Sequence, residues 1–198
     1  MNLSIERVIS IILALACHAS FVWAVLGFFH NSGRLPTGMK ILGASAVFGM
    51  FVHLNGLAFY MHVSAMRFLA AGIYYGCSLM LFWWALTSVW QCRLPIAFSS
   101  QAPKALLRHG PYAFVRHPIY LSDVLAWLAG AVAINGPWAW FVFILMTAEF
   151  YVAMITEERQ LGSGQLAEEF AQYAHETGMI LPSPYKIVGR LMRKKAKR

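Results

Sequence analysis

Three stretches of this chain, Val8 to Phe29, Ile41 to Tyr60 and Phe68 to Trp90, contain no Asp, Glu, Lys or Arg, and the first two are interrupted only by His18, His53 and Asn55. A helix needs about 20 mostly apolar residues to cross a bilayer, so each stretch reads as a spanning helix. Beyond Pro118 the apolar pattern resumes in two shorter pieces, Ile119 to Ile134 and Trp138 to Ile155, separated by the turn signal Asn135-Gly136-Pro137. These predict a helical hairpin whose first arm is short, so that it tilts, starts within the headgroup region or sits inside the bundle. The pattern as a whole predicts an all-α integral membrane protein of about five transmembrane helices, the last two forming the hairpin.

Composition strengthens this picture: the chain is 59% hydrophobic and 12% charged, well outside the range of soluble globular proteins. Charge then orients it. With five spans, the loops Asn31 to Lys40 and Gln91 to His117 share a side with the C-terminal tail. That side gathers Arg34, Lys40, Arg93, Lys104, Arg108, Arg116, Arg159 and the basic tail, against only Arg7 and Arg67 opposite. The basic side is therefore expected in the cytoplasm and the N-terminus outside. The net charge of +8 does not point to nucleic acid, because the basic residues flank spans or crowd the tail from Arg190 to Arg198. Such a tail suits anionic lipid headgroups, or acts as a solvated determinant of topology. Cys17, Cys77 and Cys92 lack metal-ligand spacing and read as apolar filler, with no metal expected. The first apolar run continues past the small residues around Ala16, which favours a retained helix over a cleaved signal peptide. The absence of other targeting signals fits a bacterial inner membrane.

The residues that can do chemistry cluster at the hairpin. The loop before it ends in His109-Gly110-Pro111-Tyr112-Ala113-Phe114-Val115-Arg116-His117-Pro118-Ile119-Tyr120. Gly110-Pro111 bends the chain, and Pro118 suits the first position of a helix. Arg116 and His117 then stand at a helix mouth, where free N–H groups and the positive dipole end favour an anion such as a carboxylate. A membrane-interface anchor made by Arg and Tyr is the alternative. The last apolar helix ends in Glu157-Glu158-Arg159. Two adjacent carboxylates beside an apolar region need cations or donors nearby, which Arg116, His117 or a cationic ligand could supply, unless the pair is a solvated helix end. Asp123 lies one turn beyond Tyr120 and Glu149 eight residues before Glu157, each on the face of its motif neighbour. Ionisable groups inside a span point to function, with buried partnership to His53, Asn55 or His62 as the alternative.

The ordered set Gly110-Pro111-Tyr112, Arg116-His117-Pro118-Ile119-Tyr120, Glu157-Glu158, then Tyr173, Thr177 and Ile180-Leu181-Pro182 resembles the signature of the isoprenylcysteine carboxyl methyltransferase and phospholipid methyltransferase superfamily, over roughly Lys104 to Pro182. The resemblance implies a membrane enzyme that uses S-adenosyl-L-methionine on the cytoplasmic side and opens laterally to lipid. By position it assigns the cofactor to Lys104, Ala105, Leu106, Leu107, Tyr112, His117, Pro118, Ile119, Tyr120 and Glu157, with Arg116 and Glu158 as catalytic candidates. The segment Tyr173 to Pro182 would be a lid. The chain then divides into three N-terminal helices in 1–92, a methyltransferase-like region of loop, hairpin and lid in 93–182, and a basic cytoplasmic tail in 183–198.

Three positions depart from the family pattern. Ala153 stands where the carboxyl methyltransferases carry an arginine that holds the substrate carboxylate; Ser122 replaces a glycine; Leu166-Ala167 replaces the Phe-Gly of the lid. Asp123 and Glu149 would repel a carboxylate and attract an amine, so the expected acceptor is a lipid or lipophilic small molecule with an amine or cationic headgroup. A prenylcysteine carboxylate acceptor, a non-catalytic protein of the same fold and an NADPH-dependent membrane reductase are the alternatives, the last without any visible phosphate-binding glycine loop.

Overall fold

A computed structural model describes residues 4–28, 35–60, 64–90, 98 and 106–182. The expectations for Lys104, Ala105 and the basic tail therefore lie outside the described residues. Helix α1 spans Ile5–Trp23 and runs on as a π-helical turn, Ala24–Phe28; α2 spans Thr37–Asn55 and runs on likewise through Gly56–Tyr60. Then come α3 (Ala65–Ser88), a 3-10 turn (Gly110–Ala113), α4 (Pro118–Ile134), α5 (Pro137–Ser163) and α6 (Ala167–Glu176). Among the described residues no strand forms, apart from one isolated bridge between Val115 and Gly178.

The limits of these elements follow local chemistry. Pro118 and Pro137 take the first helical positions of α4 and α5, where a missing N–H costs nothing. Helix α4 stops at Asn135, which adopts the left-handed conformation at φ 52° and ψ 38° and closes its N–H on the Ala131 carbonyl at 2.8 Å. Asparagine tolerates that conformation better than most residues. Helix α5 continues past Ile155 to Ser163, because Glu157, Glu158, Arg159, Gln160 and Leu161 are all good helix formers once the chain leaves the apolar layer.

Among the described residues four helical stretches are long and apolar enough to cross a membrane: Ile5–Phe28, Thr37–Tyr60, Ala65–Ser88 and Pro137–Ser163. Helix α4 has 17 residues. At 1.5 Å per residue it is about 26 Å long, somewhat less than a hydrocarbon core of about 30 Å. It is nonetheless the centre of the bundle, packing on α3 and α5 and reaching α1 and α2. Its buried Ala126, Ala129, Gly130, Ala131 and Ala133 let neighbouring backbones approach closely. The Ser78 hydroxyl of α3 donates to the Ser122 carbonyl at 2.7 Å, fixing the register of that pair. Outward surfaces carry large apolar side chains, Leu26 and Met66 each 81% exposed, a pattern suited to lipid rather than water.

Candidate active site

The site forms where the turn before α4, the end of α5 and the segment after α6 meet. Gly110 turns the chain with φ +57°, and a Cβ there would collide with the Ser88 side chain, so glycine is required on two counts. The neighbouring His109 ring meets the Ser88 carbonyl at 2.8 Å, tying the turn to the end of α3. Tyr112 is thereby buried, and its carbonyl accepts the Tyr173 hydroxyl of α6 at 2.7 Å. Burial, and after it the charge of Glu157 nearby, raise the Tyr112 phenol well above its ordinary range, leaving it a neutral donor. Leu107 and Ile119 pack against the same apolar cluster around Phe82 and Leu86, and Leu106 beside them is half-buried.

At the mouth of α4, the Arg116 side chain makes four hydrogen bonds to acceptors among the described residues. Its Nε and Nη2 grip the two carboxylate oxygens of Glu158 at 2.7 and 3.2 Å, and Nη1 reaches the carbonyls of Thr177 and Ala174 at 2.6 and 3.3 Å. The Arg116 and His117 backbone N–H groups donate to the carbonyls of Gly178 and Met179 at 2.9 and 3.1 Å. The open guanidinium expected at this helix mouth is thus engaged from within: Arg116 fastens the end of α5 and the C-terminal segment to α4. Glu158 receives, besides Arg116, the His117 Nε2 at 3.1 Å. A forked guanidinium-carboxylate pair of this kind is rigid as well as strong.

Glu157 faces the other way. One carboxylate oxygen accepts the Tyr120 hydroxyl at 2.5 Å, and the other stands 3.7 Å from His117 Nδ1. The Tyr120 ring lies between His117 and Phe150, at centroid distances of 5.7 and 5.8 Å. Pro118, buried, supplies no N–H, and the N–H groups of Ile119 and Tyr120 meet no backbone acceptor among the described residues. The mouth of α4 therefore offers two free backbone donors beside the Glu157 carboxylate and the Tyr112 hydroxyl.

Deeper in the bundle the two remaining acids part company. Glu149, on the α5 face that carries the buried Ala153, accepts the Ser45 hydroxyl of α2 at 2.7 Å through one oxygen, while its other oxygen is buried without a partner. Asp123 receives no hydrogen bond from any described residue and lies within electrostatic reach of Tyr120 and Cys17. Neither acid pairs with His53 or Asn55, whose amide donates to its own helix at the Phe51 carbonyl; His62 lies outside the described residues. Ser45, Phe150 and the carbonyls of residues 174, 177, 178 and 179 were not foreseen. Nothing in the order of residues marks a small hydroxyl on α2 or a backbone carbonyl as a partner.

Fold and site together describe a helical membrane protein whose polar machinery gathers at one end of the bundle, against the head of α4 and the tail of α5. Residues 70–163 match the isoprenylcysteine carboxyl methyltransferase (ICMT) family, which bears out the resemblance stated from the sequence and supports a membrane methyltransferase. The matched range begins inside α3 and ends with α5, so it holds Arg116 to Tyr120 and Glu157-Glu158 but stops short of α6 and the segment Tyr173 to Pro182. No curated protein matches the chain.

Proposed function

We propose that this protein uses S-adenosyl-L-methionine to methylate an amine on a lipophilic or lipid acceptor, working at the cytoplasmic face of the membrane. The donor set at the α4 mouth supports the cofactor. An α-amino acid group needs a carboxylate for its ammonium and N–H donors for its carboxylate; Glu157 supplies the first, and the free N–H groups of Ile119 and Tyr120 the second. Tyr112 adds a neutral hydroxyl donor, with Leu106 and Leu107 as apolar wall. When bound, the cofactor supplies a methyl group on a sulfonium, already a good leaving group. The protein's part is then alignment and exclusion of water. Arg116 and Glu158 act here as positioning residues, holding the segment of residues 174–179 across the mouth.

One observation carries the amine reading: the buried, unpartnered oxygen of Glu149, on the α5 face that also presents Glu157, with only Ala153 between them. A carboxylate left half-satisfied in an apolar bundle calls for a cation or donor from the ligand. An amine must lose a proton to become a nucleophile, and Asp123, without a hydrogen-bond partner among the described residues and one turn from Tyr120, would accept it. The basic flanks of this end of the bundle support its cytoplasmic placement.

The test uses purified protein in lipid nanodiscs. Calorimetry should register S-adenosylmethionine and not NADPH. A long-chain amine should be methylated in preference to a prenylcysteine carboxylate, and Glu149→Gln should raise the KM for the amine. Preference for the carboxylate would return the acceptor to the one in the family's name; heat from neither cofactor would leave a non-catalytic protein.

A further inference from the structure

Three rings on three helices meet near the middle of the bundle, away from the site at its end. Trp127 of α4 lies between His18 of α1, with ring centroids 4.5 Å apart, and His53 of α2, at 5.1 Å. All three are buried: Trp127 is 1%, His18 4% and His53 0% exposed. Their seats are cut to fit. A Cβ at Gly49 would stand 2.8 Å from the Trp127 ring and from Val142, and one at Gly130 would run into the His53 imidazole. Two helices thus give up side chains so that these rings can enter.

Yet both His53 nitrogens, His18 Nε2 and Trp127 Nε1 are buried without a hydrogen-bond partner among the described residues. The Ala139 carbonyl approaches the His53 ring without closing a hydrogen bond. Phenylalanine and leucine would fill such seats with no polar atom to satisfy. Buried polar atoms that lack partners call for a water or a ligand group to meet them.

The inventory of donors and acceptors names the ligand's chemistry. A neutral imidazole offers one donor and one acceptor nitrogen that point apart, so one ligand atom meets a single His53 nitrogen, and the indole offers one donor. An ammonium would leave the indole unmet, a carbonyl would leave the imidazole acceptor unmet, and a carboxylate would bring an isolated charge. A hydroxyl both donates and accepts. We propose that His18, His53 and Trp127 form a binding site inside the membrane for a neutral O–H group, supplied by water or by a hydroxyl on the lipophilic acceptor. The acceptor source rests on the amine reading above; the water source does not. From Glu149 to Val142, which packs with Trp127 over Gly49, is two turns of α5, or about 10 Å. That is close to the length of an eight-carbon chain, so aminooctanol is a ligand that spans both places.

The experiment is nitrogen-labelled NMR of the full chain in nanodiscs, with the Trp127 indole N–H assigned by its loss in Trp127→Phe. That N–H is expected to show a cross-peak to water, and to shift on adding aminooctanol but not octylamine. A water cross-peak with no such shift fixes the hydroxyl as water; the shift without the cross-peak fixes it as the acceptor's. Absence of both signals overturns the proposal. His53→Leu gives a second reading: loss of a bound hydroxyl's partner should lower the melting temperature, whereas removal of truly unpaired nitrogens would raise it and sink the idea. Octylamine binding nowhere on the protein would remove the amine reading, and the water cross-peak would still decide this one.

Discussion

Tyr120 and Arg116 stand four residues apart and their side chains have different tasks. The Tyr120 hydroxyl holds Glu157 while its ring keeps contact with Phe150, so Tyr120→Phe removes a hydrogen bond to a charged group and leaves the packing. Such a bond is worth about 1.5 to 3 kcal/mol, and tenfold in affinity is about 1.4 kcal/mol. Binding of S-adenosylmethionine by calorimetry should weaken by about tenfold or more, and the melting temperature should fall by about 2 to 4 °C for each kcal/mol lost. Arg116 is different, since it joins α4 to Glu158 and to the carbonyls of Ala174 and Thr177. Arg116→Met leaves Glu158, only 16% exposed, without its main partner. Breaking a buried pair from one side costs about 3 to 5 kcal/mol, and partial exposure here places the expected loss near the lower end. The check is a denaturation midpoint alongside the binding titration: a loss of cofactor affinity without a loss of stability would make Arg116 a ligand-binding group rather than a fastener. The nearness of Arg116 and His117 to Glu157-Glu158 could be read from the need of two adjacent carboxylates for cations. The division of labour between the two acids could not, because it depends on which way each side chain leaves its helix and on backbone carbonyls that no sequence pattern marks.

At the level of elements, the apolar runs revealed the long helices because charge-free length has few other uses. Their ends were less legible. The π-helical turns Ala24–Phe28 and Gly56–Tyr60 leave no mark in the hydrophobic pattern, and α5 outruns its apolar stretch on helix-forming polar residues. Helix α6 was read only as part of a lid, since a short amphipathic helix resting on a loop looks much like the loop. What fastens it is a tight turn: a Cβ at Gly178 would collide with the Leu181 carbonyl, and the Gly178 carbonyl is the acceptor for the Arg116 N–H. Gly178→Ala should open this turn. Hydrogen exchange at the Arg116 and His117 amides is expected to speed up by about tenfold or more, since even about 1.4 kcal/mol of local destabilisation has that effect. Protection in α3 and α4 should stay as it was. Unchanged exchange at residues 116 and 117 would show that the segment is held by something other than this turn.

For the whole molecule the question is charge balance along the α5 face that carries Glu149, Ala153 and Glu157. Glu149, Ala153 and Glu157 follow one another at one-turn intervals, so two carboxylates flank a methyl group where the resembling carboxyl methyltransferases carry an arginine. Ala153 is fully buried, and a side chain introduced there has no solvent to reach. The arginine of Ala153→Arg would therefore lie along this helix face and pair with Glu149, Glu157 or both, supplying from the protein the cation that the amine reading assigns to the acceptor. Two acids that have gained an internal partner no longer attract an external one. The expected result is a KM for a long-chain amine raised by about tenfold or more, consistent with losing one interaction to a charge, together with new acceptance of a prenylcysteine carboxylate. Steady-state assays with both acceptors check it, and circular dichroism guards against the overpacking that a large side chain brings. If the variant stays folded and keeps its amine KM, the two carboxylates do not see the acceptor's charge, and the basis of acceptor selection has to be sought on α4, at Asp123.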